Sequence, residues 1–270
     1  MKTATTRLAS SLLLALALPA AGLLSASAAE STTDKSSTAA PAAAKTTVVL
    51  VHGAFADGSS WNKIIPLLQA QGLDAVAVQN PLTSLEDDVA AANRIINAQA
   101  GPVVLVGHSW GGSVITQAGG NDKVRALVYV AAFAPSLDAA PTADLKAFPT
   151  PPGSAHFVAD AEGFLTLPAA AIASDFAQDV SPEEANLIAA TQGPVFSGAF
   201  EQKVSVAAWT SKPSWYIVAT QDRMIDPGAQ RALAKKLKAH TTELAASHVP
   251  MVSQPQAVAD VIIAAAKSIK

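Results

Sequence analysis

The chain has no cysteine in 270 residues. Disulfides, a cysteine nucleophile and thiolate metal sites are therefore excluded, and the redox compartment stays open on this count. Charge is also scarce. Asp, Glu, Lys and Arg together make up 14% of the sequence, the net charge is −3, and no basic block occurs. That disfavours nucleic acid as a partner, because phosphate binding needs clustered Lys and Arg. What is abundant is apolar: half of the residues are hydrophobic. With the ends set aside, the length suits one domain of α/β size with a large core.

The N-terminus carries a separate signal. Lys2 and Arg7 make a positive start, an apolar Leu/Ala run follows, and Ala26-Ser27-Ala28 forms an A-x-A cleavage site. This pattern predicts a secretory signal peptide over 1–28, hence export to the periplasm or beyond. The clean run from Leu8 to Leu18 is too short to span about 30 Å of hydrocarbon, so no stable membrane anchor is expected after cleavage. Loss of Lys2 and Arg7 would leave 16 basic against 21 acidic residues, a net charge of −5. Residues 29–45 are small and polar and predict a flexible linker.

From 46 to 270 the sequence alternates. "TTVVLVHG", "LDAVAVQNP", "PVVLVGHS" and "VRALVYVAAFAP" are apolar, β-branched runs of the kind buried on both faces of a parallel sheet. Between them lie helical patterns at 59–72, 84–101 and 110–120. The first has Ser59 or Ser60 as a possible cap, and the second has Ser84. From about 135 to 213 the alternation lapses into proline-rich sequence with scattered aromatics, which reads as an inserted, mainly helical cap. It then resumes with "SWYIVATQD", a helix from "DPGAQ", a short strand "TTELAAS" and a final helix. The expected fold is α/β: a mostly parallel sheet of about six strands flanked by helices, with the cap inserted.

Gly107-His108-Ser109-Trp110-Gly111 matches G-x-S-x-G, a pattern that chance supplies in roughly one chain of this length in ten. Its setting is more informative. Strand precedes Ser109 and helix follows, which is the strained turn that exposes a nucleophile at the carboxyl edge of a sheet. Gly107 and Gly111 allow strand and helix to approach there. A serine needs a base, and the base an orienter. Of the five histidines, His52 and His108 lie in turns with structural tasks, His156 lies in the cap, and His240 ends a Lys-rich helix. His248 follows the last strand and reaches the same edge. Asp222 ends the preceding strand. Asp226, before Pro227, reads better as a helix N-cap, and Asp138 is a weaker rival. Oxyanion donors are expected from the backbone N–H of Trp110 and of Ala54 or Phe55, with Ala54 preferred. Phe55, Trp110, Phe157, Phe164 and Phe196 are candidate substrate-lining residues, although ordinary core packing accounts for each equally well.

"VHGAFADGSSW", "GHSWGG", "ATQDRMI" and "SHVPMVSQP" together resemble the α/β-hydrolase superfamily. Within it they are similar to small bacterial hydrolases related to plant methylesterases and hydroxynitrile lyases. The order Ser109, Asp222, His248 is the chain order of that superfamily's triad. The two antiparallel strands with which many members begin are not visible after the linker. The related lyases place a lysine after the catalytic histidine and a threonine in the oxyanion loop. Here Val249 and Ala54 occupy those positions, which disfavours a lyase. Ser109 itself disfavours dehalogenase or epoxide hydrolase chemistry, which uses aspartate at the elbow. The resemblance implies a serine hydrolase of small carboxylic esters, working through an acyl-enzyme on Ser109 without metal or organic cofactor, and the N-terminal pattern predicts that it is exported. Its partner would be a small-molecule ester. A lyase or acyltransferase on the same triad, or a non-catalytic ligand-binding protein of this fold, are the alternatives. Oligomeric state is not readable.

Overall fold

The structure, a computed structural model, describes residues 44–269. The expected signal peptide lies outside them, as does the expected linker apart from Ala44 and Lys45.

Six strands form one sheet: β1 Thr47–Val51, β2 Asp74–Val78, β3 Val103–His108 and β4 Val124–Val130, then, past an insertion, β8 Ser214–Ala219 and β9 His240–Leu244. The insertion supplies the short strands β5 Val158–Ala159, β6 Phe164–Thr166 and β7 Val195–Phe196, paired antiparallel in a separate small sheet. The large sheet runs β2-β1-β3-β4-β8-β9, and every neighbouring pair is parallel. All six carboxyl ends therefore lie along one edge. β1 and β3 are buried at every residue, as their unbroken apolar runs require of strands covered on both faces. Each fully buried Val or Leu contributes on the order of 1.5–3 kcal/mol relative to exposure, so the centre of the sheet is the best-anchored part of the chain.

The helices are α1 Ile65–Gln69, α2 Leu85–Ala98, α3 Gly111–Ala118, α4 Ala169–Ala171, α5 Pro182–Thr191, α6 Pro227–Lys236, α7 Pro250–Ser253 and α8 Pro255–Ser268. Ser84 caps α2 as expected, its hydroxyl accepting from the Asp87 N–H. The helix expected over 59–72 is instead two pieces, a 3-10 turn at Gly58–Trp61 and the short α1. Pro66 is the reason: it has no N–H to give and is tolerated only in a first turn, so the helix restarts there. The cap of the first piece is Asp57, whose carboxylate accepts from the Ser59 N–H at 2.6 Å, rather than Ser59 or Ser60. His240 is not a helix-terminal charge either; it opens β9 and stacks on Trp215 at 5.0 Å between ring centroids.

In the insertion between β4 and β8 the regular structure is chiefly helical, with 3-10 turns, α4 running into a π-helical turn at Ile172–Phe176, and α5, joined by long irregular stretches; the small antiparallel sheet is additional. Among the described residues no helix is long and apolar enough to cross a membrane.

Candidate active site

The strand order reverses direction around β1 and β3: the chain goes from β1 outward to β2, then back to β3 on the other side. Loops leaving β1 and β3 thus diverge, and in open α/β sheets such a switch point is where ligands bind. Ser109 sits here, just past β3. Its φ is +51°, a left-handed conformation that costs a non-glycine residue about 1–3 kcal/mol. The surroundings hold it in place. Its N–H donates to Val130 O, and its carbonyl accepts from both Gly112 and Phe133, all within 3.1 Å. A Cβ on Gly107 would lie 2.5 Å from Gly111 O, and one on Gly111 would lie 2.6 Å from Val51 O, so the elbow closes only with glycine at both positions.

Asp222 and His248 meet at the same edge, past β8 and β9. His248 Nδ1 lies 2.7 Å from Asp222 Oδ2, and both side chains are buried. Asp222 accepts from the Met224 and Ile225 N–H groups on one oxygen, and from Gln230 Nε2 and His248 on the other. Three N–H donors besides His248 already converge on the two Asp222 oxygens, and an Nδ1–H of His248 aimed at Oδ2 makes the fourth and leaves Nε2 with a free lone pair. Among the described residues neither the Ser109 hydroxyl nor His248 Nε2 has a hydrogen-bond partner. Gln230 is buried and locked in turn by Ala219 N–H and Ile225 O. No motif in the sequence marks Gln230; the signal it offers is a polar residue on the apolar, buried face of α6.

His108 has its own task. Its Nε2 donates to the His248 carbonyl at 2.8 Å, and the two rings lie 4.8 Å apart. Burial pushes its pKa well down, so it stays neutral beneath His248. His52 is fixed by backbone partners: Nδ1 faces Gly53 O at 2.9 Å, and Nε2 accepts from the Asn80 N–H at 2.9 Å. Asp226 caps α6 through the Ala229 N–H. Asp138 is exposed, and its N–H is bonded to Val204 O. Neither rival acid is hydrogen-bonded to His248.

The loop after β1 abuts the elbow, since a Cβ on Gly53 would lie 2.7 Å from Ser109 Cβ. Among the described residues the N–H groups of Ala54, Phe55 and Trp110 donate to no acceptor. They are thus free to bind a negative oxygen. Phe55 has φ +57°, a second strained position beside Ser109.

These positions belong to a known architecture. The model of the alpha/beta hydrolase family matches residues 48–261. The chain belongs to the alpha/beta hydrolase family. It is 27% identical over 243 residues to a probable hydrolase, R7, of Phoma sp., covering 80% of this chain and 96% of the relative. It is 27% identical over 244 residues to methylesterase 8 of Arabidopsis thaliana, covering 81% and 88%. Among solved structures, polyneuridine aldehyde esterase superposes with a TM-score of 0.70 at 21% identity, covering 82% of this chain and 98% of that one. A pyrethroid hydrolase from Sphingobium faniae JZ-2 gives 0.71 at 22%, covering 83% and 98%.

In this hydrolase a cavity of about 420 Å3 lies between the insertion and the start of α6, lined by Phe133, Phe148, Phe157, Phe200 and Met224 together with Lys146 and Asp226; Ser109, Asp222 and His248 are not among its lining residues. Four of these adjoin the elbow, the loop after β1 or Asp222. Phe133 N–H bonds Ser109 O, Phe200 meets the Trp110 ring at 5.2 Å, Phe157 stacks on Phe55 at 5.1 Å, and Met224 N–H bonds Asp222. Of the aromatic residues expected to line substrate space, only Phe157 lines this cavity. Phe55 lies beneath Phe157. The Trp110 ring is fully buried, and its indole N–H donates to the buried Asp88 at 2.6 Å. Phe164 and Phe196 pair with each other in the small sheet, 5.6 Å apart. A wider depression of about 880 Å3, lined by Thr46, Gly101, Lys123 and Arg125, lies at the opposite, amino-terminal edge of the strands. Among the described residues no three His, Asp or Glu side chains are grouped to hold a metal ion.

Proposed function

We propose that the protein is a serine hydrolase of small carboxylic esters, with Ser109 as nucleophile, His248 as base and Asp222 as its orienter. The observation that carries this reading is the buried 2.7 Å His248–Asp222 bond at the same sheet edge as the strained Ser109. Ser109 Oγ attacks the ester carbonyl and its proton passes to His248 Nε2. The Ala54 and Trp110 N–H groups take the developing oxyanion. As the carbon–oxygen bond to the alcohol breaks, His248 returns the proton to the leaving oxygen and an acyl-enzyme remains. Water then attacks with the same histidine as base, releasing the acid and restoring Ser109. The phenylalanines of the cavity wall suit an ester with an apolar group, and relatives named methylesterases support ester chemistry. The N-terminal pattern supports action outside the cytoplasm, which N-terminal sequencing of the exported protein tests: a mature start near Ala29 is expected.

For the chemistry, Ser109→Ala is expected to lower turnover of a p-nitrophenyl short-chain ester by roughly 10⁴-fold or more. A fluorophosphonate should add mass to a peptide containing Ser109 in the wild type and to none in the variant. Near-normal turnover by Ser109→Ala would overturn the assignment.

A further inference from the structure

Five consecutive residues of the insertion reach both loops that carry the acid and the base. They begin inside the π-helical turn at Ile172–Phe176 and end at Asp179. Asp175 accepts from Arg223 Nε at 2.6 Å, and Arg223 directly follows Asp222. Gln178 Nε2 donates to the carbonyl of Gln221 at 2.7 Å, and Gln221 directly precedes Asp222. Asp179 Oδ2 accepts from the N–H of Ser247 at 2.8 Å, and Ser247 directly precedes His248. Between them the Phe176 ring stands edge-on to the His248 ring at 5.1 Å and to Phe55 at 6.5 Å. Each polar bond therefore falls one residue from Asp222 or His248.

Chance contact between an insertion and the sheet edge would scatter over the loops. Here both sides of Asp222 and the entry to His248 are tied to one short stretch, with an aromatic ring as spacer. A π-turn is a costly local geometry that recurs at functional sites. In this chain it delivers Asp175 and Phe176 together into the interior, both 2% exposed or less.

We infer that residues 175–179 form a positioning segment: Asp175, Phe176, Gln178 and Asp179 set the geometry of the Asp222–His248 pair without touching substrate. The inference rests on the proposed roles of those two residues. A base displaced by a fraction of an ångström loses rate without losing substrate affinity, because alignment is felt in the transition state.

Asp179 is exposed and gives the cleanest test. Asp179→Ala removes the acceptor for Ser247 N–H, while Asp179→Asn keeps a side-chain oxygen for it. One hydrogen bond is worth about 1 kcal/mol, so Asp179→Ala should lower kcat and the rate constant of fluorophosphonate inactivation by about three- to tenfold. KM should stay within about twofold, and Asp179→Asn should recover most of the loss. Gln192→Ala is the control. It breaks a two-bond tie to Leu167 inside the same insertion and reaches neither loop. It should lower thermal stability and leave both rate constants unchanged. The downfield proton resonance of His248 Nδ1–H should broaden in Asp179→Ala and not in Gln192→Ala. That signal needs no turnover, so it tests the geometry even if Ser109 proves not to be the nucleophile. An unlabelled wild-type Ser109 would remove the proposed chemistry. A resonance and rate constants in Asp179→Ala equal to wild type, or equally disturbed in Gln192→Ala, would remove the positioning role.

Discussion

Ser109 and Phe148 are held by different means. Ser109 has its N–H and C=O bonded to Val130, Gly112 and Phe133, across two strand ends and a helix start. Phe148 has its N–H bonded within its own turn, to Leu145, and is half-buried at the cavity wall. The same contrast runs through the two regions. At the sheet edge the exit from β4 is clamped by Tyr216, whose hydroxyl donates to Ala132 O and accepts from Ala132 N–H. In the insertion most of the cavity wall comes from turns and prolines at 142–157, with Phe200 beside them. Backbone bonds between parallel strands admit few alternatives, whereas side chains on turns are replaced at low cost. A change at the edge should therefore act on rate, and a change in the wall on which substrate is accepted.

The largest break comes at Asp222. Its four donors leave no place for an N–H on that side chain. In Asp222→Asn the new amide must face Met224 and Ile225 or face Gln230 and His248. Either way a buried donor loses its acceptor, and with the amide nitrogen toward Gln230 and His248 the histidine also loses the partner that fixes its tautomer. Turnover is expected to fall by about 10³-fold or more, with a fold close to wild type by circular dichroism. A loss under tenfold would shift the orienting role elsewhere.

The next separates the regions by pH. Asp88, behind Trp110, is pushed up to about 6 by burial, against the pull of the Trp110 and Leu82 N–H groups. Asp175, in the insertion, is pushed up by burial too. The Ser174 hydroxyl and the Arg223 guanidinium outweigh that and hold it below the usual carboxylate range. The signs are opposite. A raised carboxyl contributes stability that is complete below the unfolded pKa and is lost as pH rises through about 6. A depressed one contributes stability present above the unfolded pKa and lost as pH falls below it. Urea unfolding should show wild type losing up to about 3 kcal/mol relative to Asp88→Asn between pH 4 and 7. Relative to Asp175→Asn, wild type should lose stability as pH falls through the carboxylate range. Equal slopes for the two variants would refute the contrast.

The two regions were also unequally legible. Ser109, Asp222 and His248 each follow a strand, and a parallel sheet puts all such positions on one edge, which is the reason order along the chain groups them as candidates. The six-stranded frame followed from the same runs. The helical spacing of Trp61, Ile64, Ile65 and Leu68 suggests one helix over 59–72, whereas Pro66 starts a second piece there. The cavity was not legible at all. Phe133 and Phe200 are far apart in sequence, and nothing local distinguishes Phe148, which lines it, from Phe164, which stacks on Phe196. Gln230 and Asp88 were hidden for another reason. A buried polar side chain on a helix is recognised by its partner, and the partner comes from another element.

Phe148 and Phe164 provide the finest test of the comparison. Both are aromatic, partly buried and in the insertion, yet only Phe148 borders the cavity. It stands over the start of α6, where a Cβ on Gly228 would meet its ring at 3.6 Å. Phe148→Ala should remove one wall and weaken contact with a bulky apolar group. An effect of about 1 kcal/mol, roughly fivefold in kcat/KM, is expected for a large ester relative to acetate. Turnover of the acetate should hardly change, because no bond to Ser109, Asp222 or His248 passes through Phe148. Phe164→Ala breaks the pair with Phe196 and should cost stability without moving the ratio between the two esters. If Phe164→Ala moves that ratio and Phe148→Ala does not, substrate lies against the small sheet instead. The cavity wall would then owe its form to packing alone.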